Sequence, residues 1–260
     1  MILNRYICVK QKGKPKAPNP STLRAGSFCE QMIECHDITF RYPGAEAPLF
    51  DGLDVAIGTP GFHALFGPSG AGKTSLARII SGDIDGFAGR VKTAGDMPCL
   101  YTFNRERLPG WSPVGRHLEK TSPPGRQPLR DELIDHFGLS ELMGLRYSQL
   151  SMGQCNRVNL LRYLLQDFSL LIMDESLANV DEPTRQTILY KIKSLFPEAG
   201  FLYISHNVME VSQFCDQIIV VRGAHKSPQT ARICGQDHRV DRPLDNTALE
   251  RTMLEIMNAA

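Results

Sequence analysis

Residues Gly67 to Ser75 read Gly-Pro-Ser-Gly-Ala-Gly-Lys-Thr-Ser, between an apolar run, Phe62 to Phe66, and a helix-forming run, Lys73 to Ile80. Few backbones suit such a string. Gly67, Gly70 and Gly72 let the chain curl until successive N–H groups face one centre, an anion nest. A helix starting near Lys73 adds its positive dipole end. The pattern G-x-x-x-x-G-K-[ST], placed between strand and helix, is that of a phosphate-binding loop. It predicts a nucleotide triphosphate as ligand, with Pro68, Ser69 and Ala71 completing the cradle. Lys73 is expected to reach the β- and γ-phosphates and Thr74 to set its hydroxyl on Mg²⁺. Ser75 is expected to reach the α-phosphate.

A second string, Leu170 to Glu175, is an apolar strand that ends in two acids. Its unbroken apolar character suits the middle of a parallel sheet. A carboxylate at the carboxyl end of such a strand lies beside the phosphate loop. Asp174 is therefore predicted to hold Mg²⁺ through water, and Glu175 to polarise the attacking water. His206 follows another buried strand in Tyr203-Ile204-Ser205-His206-Asn207, where it can meet a γ-phosphate.

Between these strings stands Leu150-Ser151-Met152-Gly153-Gln154, which resembles the signature peptide of ATP-binding cassette (ABC) ATPases. The ordered set over about residues 32–222 resembles the nucleotide-binding subunit of ABC transporters. Within Phe40-Arg41-Tyr42-Pro43, Tyr42 matches the aromatic that stacks on adenine. Gly67 to Ser75 matches Walker A, and Leu170 to Glu175 matches Walker B. Tyr101-Thr102-Phe103-Asn104 falls at the Q-loop, Leu177 to Asp181 at the D-loop, and His206 at the switch histidine.

The resemblance implies an α/β fold: a P-loop NTPase core with a mostly parallel sheet, an antiparallel β subdomain and an inserted small helical subdomain. It implies ATP and Mg²⁺ as ligands, with Lys73, Glu175 and His206 catalytic and Thr74, Asp174 and Asn104 at the metal. It also implies a head-to-tail pair, in which Ser151, Gly153 and Gln154 of one subunit meet the ATP held by the other. ATP would join the pair and hydrolysis release it, moving integral membrane permease subunits. Three positions depart from the family pattern. Asn104 replaces glutamine, Met152 replaces the first signature glycine, and Ser176 replaces proline. None removes a catalytic group, so hydrolysis is predicted. Trp111, the single tryptophan, falls where the family receives a helix of the membrane subunit; packing of the helical region explains it equally.

The chain has 260 residues and a formal net charge of +1, which gives no electrostatic case for nucleic acid. No run approaches the roughly 20 apolar residues that span a bilayer. Met1 to Lys16 lacks the apolar core of a secretory signal. Seven dispersed cysteines without a Cys-x-x-Cys pair read as reduced thiols. A cytoplasmic protein, peripheral on the membrane's cytoplasmic face, is expected.

Residues 1–31 include a Lys-, Pro- and Gly-rich stretch and are expected to be a disordered extension, with Met32 a candidate natural start. Residues 32–260 then form the ABC ATPase domain, with a helical subdomain over about 105–165. Strands are expected over 33–40, 49–57, 62–66, 170–173, 201–204 and 217–221, and helices from 73, over 152–166 and over 246–257. The expected partners are a second ABC subunit, identical or not, the permease, and a solute-binding protein. A cassette without a fused membrane segment points to a bacterial importer. The alternative is a regulatory or non-transport cassette that uses ATP as a switch.

Overall fold

The protein is described by a computed structural model covering residues 31–95, 97–104, 106, 108 and 110–260. Apart from Gln31, the expected N-terminal extension lies outside the described residues. β1 (Ile33–Phe40) pairs antiparallel with β2 (Phe50–Ile57) on one side and β4 (Ala88–Thr93) on the other. They form a three-stranded sheet.

The second sheet is built from β3 (Gly61–Phe66), β5 (Cys99–Phe103), β6 (Leu170–Asp174), β7 (Gly200–Ile204), β8 (Gln217–Val221) and β9 (Thr230–Cys234). Its order is β5-β6-β7-β3-β8-β9, parallel throughout except that β9 runs antiparallel to β8. Every residue of β6 and β7 is buried. Side chains alternate across a strand, so Leu171 and Met173 enter one core and Leu170 and Ile172 the other. The first core takes Val158 and Leu161 of α4 (Met152–Leu164) and Ile188 and Ile192 of α5 (Glu182–Leu195). The second takes Leu76 and Ile79 of α1 (Lys73–Ile80) together with Ile33 and Ile38 of β1. A helical stretch with α2 (Val114–Thr121), α3 (Gln127–His136) and α4 joins β5 to β6. α6 (Val208–Phe214) and α7 (Asn246–Ala259) complete the chain.

The parallel register sets the site. Phe103 is level with Asp174, Asp174 with Ile204, and Ile204 with Leu65. Four strands therefore end together, and the residues that follow them share one edge.

Some elements differ from the sequence expectation. The helix begun at Met152 ends at Leu164, two residues early. Residues 88–93, 99–103, 182–195, 208–214 and 230–234 carry elements the sequence reading leaves unassigned. β4 is an edge strand with no fully buried residue, so it lacks alternating apolar residues. α5 did carry a start signal: Asp181 accepts from the Thr184 N–H at 3.1 Å, and Pro183 stands in the first turn.

α5 also carries a buried cation. Lys193 Nζ donates to Asp237 Oδ1 and to the His238 carbonyl, both at 2.8 Å. Burial lowers the Lys193 pKa, and Asp237 opposes that shift. Asp237→Ala leaves the ammonium buried without its carboxylate and is expected to cost about 3–5 kcal/mol. Urea unfolding reads this directly. A loss under about 1 kcal/mol would mean that water reaches Lys193.

Candidate nucleotide site

The phosphate loop leaves β3 and enters α1. Gly67 has φ 145°, and a Cβ on it would stand 2.2 Å from the Val221 carbonyl oxygen of β8, so only glycine lets the loop pass. Lys73 is buried, and its Nζ donates to the Gly67 and Pro68 carbonyls, both at 2.9 Å. The lysine thus lies folded against its own loop. Burial lowers its pKa, opposed by Asp174 and Glu175. Gly72 caps α1 without a side-chain acceptor, and the first turn holds no acid. The helix's positive end is not neutralised by a carboxylate of that turn. Ser69, Gly70 and Thr74 are exposed, while Ala71 and Ser75 are buried.

Tyr42 stands beside this helix: its hydroxyl and Ser75 Oγ are 2.9 Å apart. Phe40 meets its ring edge-on at 4.8 Å between centroids, and the tyrosine stays 44% exposed. An open aromatic surface next to an anion nest has the shape a purine base needs.

Asp174 is 6% exposed, and its Oδ2 accepts from Thr74 Oγ1 and from the Tyr101 hydroxyl, both at 2.8 Å. Tyr101 escaped the sequence reading as a site residue. Its pKa is pushed up, first by burial and then by Asp174, so the phenol remains a donor. The Thr74 hydroxyl and the Asp174 carboxylate are hard oxygen donors of the kind Mg²⁺ takes, and they adjoin the phosphate loop. The donor set fits a nucleotide with its metal.

Glu175 Oε1 and His206 Nε2 are 2.7 Å apart at the ends of β6 and β7, both partly exposed. Glu175 adopts a left-handed φ of 51°, and its N–H donates to the Ile204 carbonyl at 3.0 Å. The next residue explains one family departure: Ser176 Oγ donates to the Thr102 carbonyl at 3.2 Å, a bond proline lacks. Behind His206, Ser205 Oγ donates to Glu210 Oε2 at 2.9 Å. Glu210 is buried, and its Oε1 pairs with Arg185 Nε at 2.7 Å. Burial raises the Glu210 pKa, and Arg185 opposes that shift. Arg185 Nη1 also donates to the Val180 carbonyl at 3.1 Å.

Ser151 caps α4. Its Oγ accepts from the Gln154 N–H at 3.2 Å, while Gln154 Oε1 accepts from the Ser151 N–H at 2.8 Å, a reciprocal capping box. Gly153 has an intrachain reason to be glycine: a Cβ there would stand 2.2 Å from the Asn179 carbonyl oxygen. Met152 is 46% exposed. Asn104 follows β5; its N–H donates to the Asp174 carbonyl at 3.1 Å, and its Oδ1 accepts from Asn156 Nδ2. The structure thus brings Tyr42, the loop, Asp174 and Asn104 into one chain of contacts. Among the described residues, no hydrogen bond joins Ser151, Gly153 or Gln154 to residues 67–75.

A glycine-rich loop between strand and helix, with an acid at the tip of a nearby parallel strand, defines a P-loop nucleotide-binding domain. Residues 50–178 match the family model described as ABC transporter. A nickel import ATP-binding protein of Pseudomonas putida is 30% identical over 231 residues, 77% of this chain and 84% of the relative. The chain belongs to the ATP-binding subunits of the ABC transporter family. A molybdenum import ATP-binding protein of Brucella abortus is 35% identical over 182 residues, 62% of this chain; the chain spans about 50% of that relative's length. In fold it is similar to a nucleotide-free ATP-binding cassette from an ABC transporter, with TM-score 0.65 and 18% identity, covering 88% of this chain and 98% of the other.

Proposed function

We propose that this chain binds ATP with Mg²⁺ and hydrolyses it, pairing head to tail with a second cassette to drive the permease of a bacterial importer. The observation that carries the reading is the convergence of the Thr74 and Tyr101 hydroxyls on one Asp174 oxygen, beside a loop that holds Lys73 on its own carbonyls. Family membership and relatives named as import ATP-binding proteins support the importer. Among the described residues no helix is long and apolar enough to cross a membrane. We place the protein on the cytoplasmic face, docked on permease subunits, with a solute-binding protein in the same system. Residues 32–260 act as the ATPase domain, with the stretch over about 105–165 as its helical subdomain.

Each side chain then has a task. Tyr42 stacks on the base. The backbone from Gly67 to Gly72 wraps the phosphates, and Ser75 reaches the first of them. Lys73 turns from its carbonyls onto the outer phosphates. Thr74, Asp174 and Asn104 would hold Mg²⁺, which would supply positive charge to the phosphates. Glu175 Oε1 accepts the proton of the attacking water, and His206 orients that carboxylate and bonds the γ-phosphate. Ser151, Gly153 and Gln154 present the start of α4 to the partner's nucleotide.

ATP turnover by the purified chain with Mg²⁺, with size exclusion in ATP and without it, tests the reading. Turnover together with an ATP-dependent dimer supports it. Binding without turnover favours the switch alternative, to which the engagement of Asn104 by Asn156 also points. Absence of nucleotide binding would overturn both.

A further inference from the structure

Asn156 lies one turn into α4, is 5% exposed, and spends one amide nitrogen on two different loops. Its Nδ2 donates to the Ala178 carbonyl at 2.7 Å and to Asn104 Oδ1 at 3.1 Å. A backbone carbonyl can only accept, which fixes the direction of the Asn156 amide. That direction in turn fixes Asn104, whose oxygen faces Asn156. The nearby D-loop backbone rests on the same helix, because the Asn179 carbonyl passes over Gly153 too closely for a Cβ.

We infer that Asn156 is a positioning residue that competes with the metal for Asn104 Oδ1 and passes the result of that competition to the D-loop. The inference rests on the proposed nucleotide site. Asn104 is a single oxygen on a short side chain. When that oxygen turns toward a cation, one Asn156 N–H loses its acceptor, and the other carries the contact to Ala178 alone. Buried polar hydrogens without partners are costly, so the seat of the D-loop and the orientation of Asn104 are linked. Linkage is reciprocal: whatever loosens Asn156 from Asn104 favours the cation, and a bound cation alters the hold on residues 178–180. The switch toward metal is thus restrained by an amide of the signature helix.

The test uses the full chain with a non-hydrolysable ATP analogue and Mn²⁺, whose free fraction is read by electron paramagnetic resonance. Asn156→Ala is expected to tighten Mn²⁺ binding by about threefold to tenfold, the worth of one neutral hydrogen bond. A merely structural asparagine predicts the opposite sign or none, since loosening the site weakens or spares the metal. Asn156→Ser, whose hydroxyl turns back onto its own helix, is measured in parallel in case the alanine variant does not fold. In an Asn104→Ala background, the substitution at 156 is expected to change Mn²⁺ affinity less than about twofold, closing a double-mutant cycle. Amide exchange at Ala178 and Val180, which donate to the Glu175 and Leu177 carbonyls, is expected to quicken in Asn156→Ala without nucleotide. Unchanged or weaker Mn²⁺ binding with the analogue still bound overturns the relay alone. If the wild type binds no analogue, the nucleotide reading fails and the relay falls with it.

Discussion

Glu175→Gln is expected to lower ATP turnover by about 10²- to 10⁴-fold while nucleotide affinity stays within about twofold of wild type, since a general base is lost and little else changes. The two side chains have nearly the same shape, and position 175 is partly exposed, so the exchange buries nothing new. The left-handed backbone at 175 is as strained with glutamine as with glutamate. What disappears is the oxygen that takes the proton of water, and an amide cannot replace it. His206 Nε2, 2.7 Å from Oε1 in the wild type, keeps a hydrogen-bond partner in the variant, so the strand ends should not separate. Slow hydrolysis with intact binding should trap the ATP-held pair, and size exclusion in ATP should show a dimer that wild type loses as it turns over. Turnover within about tenfold of wild type would remove Glu175 from the role of base.

How much of this site was visible in the chain depended on whether its chemistry is local. The loop was legible because backbone geometry requires Gly67 and Gly72, and Lys73 lies within a few residues of the loop carbonyls it bonds. Asp174 and Glu175 were legible because an apolar strand ends on them, and parallel pairing brings such ends together. Tyr101, Asn156, Arg185 and Glu210 were not. Tyr101 reaches an acid 73 positions away, and Asn156 an amide 52 away, and neither pairing leaves a periodic trace. Gly153 was read for its place in a signature, whereas one of its constraints is the Asn179 carbonyl. In the fold, the buried strands declared themselves by unbroken apolar runs, while β4, packed on an edge with a polar face, did not. Of the three departures, Met152 is exposed, and Ser176 donates to the Thr102 carbonyl.

Lys73→Met should cut nucleotide-dependent stabilisation to about half or less without harming the fold. The buried ammonium donates to two carbonyls of its own loop. Its lowered pKa records that burial disfavours its charge. A base whose folded pKa lies below its ordinary 10.5 binds fewer protons folded than unfolded. Stability from this group therefore rises with pH between the lowered value and 10.5, and is least where the lysine is fully charged. Methionine fills a similar volume without that penalty, so the melting temperature of the nucleotide-free variant should match or exceed wild type, and the alkaline rise should vanish. With ATP the order reverses. The wild-type lysine exchanges carbonyls for phosphate oxygens, and charge-assisted bonds of that kind are worth about 1.5–3 kcal/mol. The variant should bind ATP about tenfold to a hundredfold more weakly. At a nucleotide concentration near 100 times the wild-type dissociation constant, wild type gains about 2.7 kcal/mol of stability and the variant about 0.4–1.4 kcal/mol. Scanning calorimetry with and without ATP separates the two effects in one experiment. Equal stabilisation of both proteins would place the phosphates away from Lys73, whereas a variant that fails to fold would mean that the lysine serves its loop more than its ligand.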